Sequence, residues 1–224
     1  MWRSIDHMEN RGYFVIDGSR LFSSIFELQR TNQKFKDRKL NLLLFNDALM
    51  RKWSIYVGMT IRIVYYFKKN DKRIREMLDI PKVIEPGQKD HWQIKECGES
   101  LSSIPEEELQ KLSSQYRDHF MRAEKGLDIK LACDVLLLVS SSKASNIVFL
   151  VNDRDYVPLF EAIQYLGGNV YLTALDSSQK IQEGLANLSD KYLTFDSELE
   201  NIFGITVQQP QTQPIVQKSP VDSK

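Results

Sequence analysis

With 224 residues, 42% hydrophobic and 27% charged, the chain has the composition of an ordinary globular protein and the length for one substantial core. No apolar stretch reaches the roughly 18–20 residues that span a bilayer. Cys97 and Cys133 are too few for a disulfide scaffold or a four-ligand zinc site, so two reduced thiols are expected. The formal net charge is zero, yet residues 30–75 hold thirteen bases against Asp37, Asp47 and Asp71, a local net charge of +10. Such a segment is either a footprint for a polyanion or a solvated surface balanced by acids elsewhere in the fold.

The N-terminal "MWRSIDHMENRGYF" lacks the apolar centre of a signal peptide, so a cytoplasmic protein without membrane partners is expected. "YFVID" (13–17) reads as a buried strand that stops at a polar turn. From about Ser19 to Trp53 the pattern is mostly helical and strongly basic. "TIRIVYYF" (60–67) is a second strand, and Lys68 to Gln88, with Pro81, Pro86 and Gly87, reads as a helix and then a loop. "HWQIKE" (91–96) alternates like an edge strand, and Pro105 suits the first turn of a helix running to about Lys125. A further helix, "GLDIKLACDVLLLVSSSK", precedes the continuous apolar strand "NIVFLVND" (146–153), of the kind covered on both faces. Then come a helix with a glycine stop, the strand "NVYLTAL", a helix over 177–187 and a short strand "KYLTF". From Gln208 the chain is rich in Gln and Pro, and a disordered tail over 208–224 is expected after one domain over 1–207.

Strands alternating with helices imply an α/β fold, a three-layer doubly wound parallel sheet flanked by helices. In such sheets ligands sit at the carboxyl ends of the strands, beside the point where strand order reverses. Asp17, Asp153 and Asp155 all fall at strand carboxyl ends. Asp155 has a structural excuse, since it could cap the helix that begins at once; Asp153 has less need of one because Asp155 could cap without it, and after Asp17 it is Ser19 that could serve as the cap. Asp128 and Asp134 lie six residues apart on one helix and do not share a face; Asp128, near its start, is preferred for the site. Carboxylates gathered at one point stay ionised only around a cation, and hard oxygen ligands with open water positions suit Mg²⁺ or Mn²⁺. Beside a basic surface, that arrangement suits phosphodiester hydrolysis. Neither a phosphate-binding P-loop nor a dinucleotide fingerprint is present, and His7, His91 and His119 show no ligand spacing.

"YFVIDGSRLF", "KGLDIKLACDVLLL" and "NIVFLVNDRDYVPLFEAIQYLGGNVYL" together resemble the NYN domain, in its LabA-like branch, of the PIN-like nuclease superfamily. The resemblance runs in order over about residues 12 to 196. It implies metal-dependent cleavage of RNA, single-stranded rather than duplex, with Mg²⁺ or Mn²⁺. Asp17, Asp128, Asp153 and Asp155 carry over as the acidic catalytic and metal-site residues, with Asp134 as a further metal ligand. Lys125 becomes a phosphate-facing base; Arg20 and Arg154, at positions where the chain departs from the family pattern, are candidate substrate-binding residues. Pairing into a homodimer is also common among PIN-like domains. Two departures matter. In the D-x-D loop Asn152 and Arg154 replace the usual small residues, and Arg154 either binds the substrate backbone or lies on the surface. Arg20 stands where the family carries Asn, and Arg cannot ligate a cation. Arg20 either clamps the scissile phosphate or occupies the metal position, leaving an inactive RNA-binding or protein-interaction module. In the second case Arg20→Asn would raise activity. Tyr65 and Tyr66 are either stacking residues for nucleic acid or core.

Overall fold

The structure, a computed structural model, describes residues 11–81, 91–97 and 126–205. The expected helix over 105–125, the loop around Pro86 and the tail over 208–224 lie outside the described residues.

The chain begins with strand β1 (Arg11–Asp17), in which every residue after Arg11 is buried. Helix α1 (Gly18–Thr31) starts on the next residue and buries Leu21, Phe22, Ile25 and Leu28 at helical spacing. The helical pattern of 19–53 is not continuous. At Asn32 the backbone is extended, and its side chain accepts a hydrogen bond from the Lys34 N–H, opening a 3₁₀ turn over Gln33–Phe35. A two-residue strand β2 (Leu40–Asn41) follows, and Asn41 caps α2 (Leu42–Val57) by accepting from the Leu44 N–H at 3.1 Å. Asparagine side chains compete with the backbone for its own hydrogen bonds, and here two of them divide one apolar pattern into two helices.

Strand β3 (Met59–Lys68) leads to the short helix α3 (Arg73–Met77) and to β4 (Leu78–Asp79), which pairs with β2 in a small parallel ladder. Strand β5 (Trp92–Cys97), helix α4 (Leu127–Ser140), strand β6 (Asn146–Leu150), helix α5 (Val157–Tyr165) and strand β7 (Asn169–Ala174) continue the alternation. The next helix, α6, covers only Glu183–Leu188 rather than 177–187. Its start is delayed because Asp176 folds the preceding residues into a turn, accepting from the Ser178 N–H and Oγ at 2.8 and 2.5 Å. Strand β8 (Lys191–Thr194) and a short helix α7 (Leu199–Ile202) complete the described chain.

Six strands form one sheet in the order β5-β3-β1-β6-β7-β8, and every pairing is parallel. The chain winds outward from β1 to β5, then returns to lay β6 against β1 and winds out the other way. Strand order therefore reverses between β1 and β6, and the crevice at their carboxyl ends is the natural ligand position of such a sheet.

Side chains alternate across the sheet. Phe14 and Ile16 join a core with α1, α2 and α7, which includes Phe45, Trp53 and Ile202. Tyr13 and Val15 join a second core with α4, α5 and α6, which includes Leu131, Phe160 and Leu185. Tyr65 and Tyr66 are fully buried, one in each core, so they are packing residues rather than stacking platforms. Both cysteines are free thiols, Cys97 buried and Cys133 exposed. Among the described residues no helix is long and apolar enough to cross a membrane.

Candidate active site

Asp17 continues the β1 alternation on the Tyr13 and Val15 side, towards α4 and α5. Only 7% of it is exposed. It is also the N-cap of α1: its Oδ1 accepts from the backbone N–H groups of Ser19 at 2.8 Å and Arg20 at 3.4 Å. Gly18 lets this turn form. A Cβ there would lie 2.0 Å from the Phe67 ring and 2.7 Å from the Tyr66 carbonyl, so no other residue fits against β3.

Asp128 enters from the opposite wall, in the first turn of α4. Gly126, before that helix, has φ 103°, a conformation that glycine adopts readily. Between the two acids stands Tyr156, from the 3₁₀ turn Arg154–Tyr156 after β6. Its hydroxyl donates to Asp128 Oδ1 at 2.6 Å and lies 3.5 Å from Asp17 Oδ2. Burial, then the charge of Asp17, the hydrogen bond and charge of Asp128 and the charge of Asp153 push the Tyr156 hydroxyl far above its usual pKa. It remains a protonated donor, holding two carboxylates that would otherwise repel each other.

Asp153 and Asp155 are exposed at the start of this turn. The capping role falls to Asp153 instead of Asp155: Asp153 Oδ1 accepts from the Asp155 N–H at 3.0 Å, and Pro158 occupies the first turn of α5. Arg154 is exposed on the same turn, and Lys125 lies outside the described residues. Arg20 is half-buried, and its guanidinium donates to Gln179 Oε1 at 3.3 Å, an oxygen that also accepts from the Ser24 hydroxyl at 2.9 Å. Burial lowers the Arg20 pKa, opposed by Glu27, Tyr192, Asp17 and Asp176.

Asp134 makes its bonds elsewhere. Its carboxylate accepts from Lys95 Nζ at 2.5 Å, Lys130 Nζ at 2.7 Å and the Tyr66 hydroxyl at 3.1 Å. Burial raises its pKa, but the two lysines outweigh that and hold it below the usual 3.8. A depressed carboxylate pKa stabilises the fold above its unfolded value, and that contribution is lost as pH falls through the folded value. Asp134→Asn is therefore expected to cost about 0.5–1 kcal/mol at pH 7, by leaving without their counterion two lysines that water already screens, Lys95 being 29% and Lys130 53% exposed. Urea unfolding of parent and variant should show this difference shrink below about pH 4. An equal loss at every pH would mean that the ion pairs are not its source.

The basic segment divides between its two readings. Lys34 pairs with Glu200 and Lys52 with Glu198, acids supplied by the end of the domain. Arg73 pairs with Asp71 at 2.6 Å and lies over the Phe22 ring. Lys36, Arg38, Lys39, Lys69, Lys72 and Arg75 are exposed. Lys39 Nζ donates to the Arg75 carbonyl, which joins the two halves of this surface. Lys69 and Lys72 follow the carboxyl end of β3, the strand paired with β1, with Asp17 in register with Tyr66.

Among the described residues no three His, Cys, Asp or Glu side chains are grouped as a metal-binding set. Two carboxylates meet at Tyr156, and Mg²⁺ is commonly held through one or two carboxylates with waters and substrate phosphates completing its shell. The donor chemistry fits such an ion.

Residues 54–199 match the NYN domain family. The chain belongs to that family. The matched span of this NYN domain contains Asp128, Asp134, Asp153 and Asp155, while β1 with Asp17, and α1, precede it. No curated protein and no solved structure matches the chain. Sequence reasoning missed Tyr156, whose place directly after the D-x-D pair was its one signal, and it missed Gln179 and Ser24, for which no local pattern exists.

Proposed function

We propose that this NYN domain is a metal-dependent ribonuclease of the LabA-like branch, working in the cytoplasm on single-stranded RNA. The observation that carries the reading is the meeting of Asp17 and Asp128 on one buried hydroxyl, at the end of the sheet where strand order reverses. Asp17 and Asp128 would hold Mg²⁺ or Mn²⁺, with Asp153 and Asp155 on the rim beside them and Asp134 in its own ion-pair network. The ion, when bound, supplies an activated water and neutralises charge on the phosphate.

The remaining work belongs to the chain's own residues. Tyr156 aims the Asp128 carboxylate by donating to it, with Asp17 3.5 Å from the same hydroxyl. Arg20, held by Gln179 and Ser24 in the first turn of α1, presents further N–H donors to a phosphate, as does Arg154 on the rim. Lys125 joins them in this reading. Lys69, Lys72 and Arg75 bind the RNA backbone by releasing its counterions. A homodimer is part of the same proposal. The bond from Arg20 to Gln179 favours the active reading over a module whose Arg20 fills the metal position.

Labelled single-stranded RNA incubated with Mn²⁺, Mg²⁺ or EDTA tests the reading. Cutting with either metal and none in EDTA is the expected result. Intact RNA in every lane, with a salt-sensitive gel shift, overturns the enzyme in favour of a binding module.

A further inference from the structure

Arg20 is a half-buried cation held by a neutral group. Its backbone N–H is bonded to Asp17 Oδ1 at the end of β1, while its guanidinium reaches Gln179 Oε1, in the turn after β7. Strand β6 lies between β1 and β7, so the side chain crosses the end of the sheet where strand order reverses. Ser24, one turn further along α1, donates to the same Oε1 from the same face of the helix. Ser24 and Gln179 are both buried. The turn that Asp176 organises sets the Gln179 backbone, whose N–H lies 3.5 Å from the Asp176 carbonyl. Two donors on Oε1 fix which way the amide faces. Its other end, Nε2, is buried with no hydrogen-bond partner among the described residues. Leaving a buried donor unpaired costs stability, so this amide is arranged for Arg20 and not for itself.

We infer that Gln179 and Ser24 are positioning residues that hold the Arg20 guanidinium, with its charge unneutralised, as a clamp for a phosphate oxygen of the RNA. The inference rests on the ribonuclease reading and adds to it the groups that aim Arg20. Among the described residues no carboxylate is bonded to the guanidinium; Asp17, Asp176 and Glu27 act on it only by charge. Asp17 is given over to the cap of α1, and Asp176 to the Ser178 N–H and hydroxyl. A half-buried cation with no bonded anion is completed by a phosphate. Arginine donates through a rigid planar fork, so one N–H can be given to the protein while the others meet phosphate oxygens. The neutrality of Gln179 is what makes this possible. A glutamate there would hold Arg20 at least as firmly, but it would cancel the charge that the phosphate reads.

The test is a double-mutant cycle on the full chain, with labelled single-stranded RNA in Mn²⁺ throughout. Single-turnover cutting gives the half-saturating protein concentration; where nothing is cut, fluorescence anisotropy gives the Kd of the same RNA. Arg20→Met is expected to weaken RNA binding about tenfold, and Gln179→Met about fivefold. In the Arg20→Met background, Gln179→Met should add less than about twofold, because the group it aims is gone. Gln179→Glu keeps an acceptor for both donors, so its urea midpoint should match the parent while RNA binding weakens about fivefold. The same loss from Gln179→Met in both backgrounds makes Gln179 a structural residue and overturns the inference. So does a Gln179→Glu variant that binds RNA as tightly as the parent, and this arm decides the matter if Gln179→Met does not fold. Cutting separates the two levels. Coupled losses of binding with intact RNA keep the clamp and remove the nuclease, whereas cutting with additive losses does the reverse. A parent that neither cuts nor binds the RNA overturns both.

Discussion

Asp17→Asn is expected to abolish metal-dependent RNA cleavage, lowering the rate by about 10³-fold, the several kcal/mol that a misplaced metal ion costs a phosphoryl-transfer site. The substitution separates the two roles that Asp17 holds. Asparagine caps a helix as well as aspartate does, so the bonds from the Ser19 and Arg20 N–H groups survive. The new amide can donate to the Tyr156 hydroxyl oxygen, which still donates to Asp128. Stability should change by less than about 1 kcal/mol, read from urea unfolding. What is lost is one negative charge beside Asp128. A variant that cuts as fast as the parent would reduce Asp17 to a helix cap, the plainest reading of a carboxylate at a strand end.

Much of the architecture was legible because a parallel sheet writes itself as continuous apolar runs. "YFVID" and "NIVFL" have no polar positions to spare, since Phe14 and Ile16 meet one layer of helices while Tyr13 and Val15 meet the other. The end of the sheet where Asp17 and Asp153 lie was legible for the same reason, as the carboxyl ends of parallel strands all point one way. Features that depend on side-chain direction or on distant partners were not. Tyr156 belongs to the apolar pattern of its segment, and only the fold shows that its hydroxyl reaches two acids 139 and 28 residues away. Gln179 meets Arg20 and Ser24 across separations of 159 and 155 residues. Neither the pairing of Lys34 with Glu200 nor that of Lys52 with Glu198 follows from a local charge count. The break inside residues 19–53 was written in Asn32 and Asn41, but a strong apolar helical pattern hides caps of that kind.

Tyr156→Phe isolates the hydroxyl on which the site is centred. The ring keeps its place in the core of β6, α4 and α5, so the change removes one oxygen and little packing. Asp128 Oδ1 loses its 2.6 Å donor, and the two carboxylates face each other without the proton that shields them. The structural cost is that of a hydrogen bond to a charged acceptor, about 1.5–3 kcal/mol, moderated by water reaching the half-buried Asp128. The functional cost is larger, because groups that orient metal ligands typically contribute 10–100-fold to metal affinity or activity. Titration with Mn²⁺ in the absence of RNA should show the variant binding about 10–100-fold more weakly, and saturating Mn²⁺ should restore part of the cutting rate. A second signature comes from alkali. The Tyr156 pKa is raised above the usual 10.0, so its contribution is complete below that pH and is lost as pH climbs towards the folded-state value. The parent should thus lose stability above about pH 10 more steeply than the Phe variant. Unchanged Mn²⁺ affinity together with an unchanged alkaline slope would show that the hydroxyl only fills space between the two acids, and that they need no help to stand together.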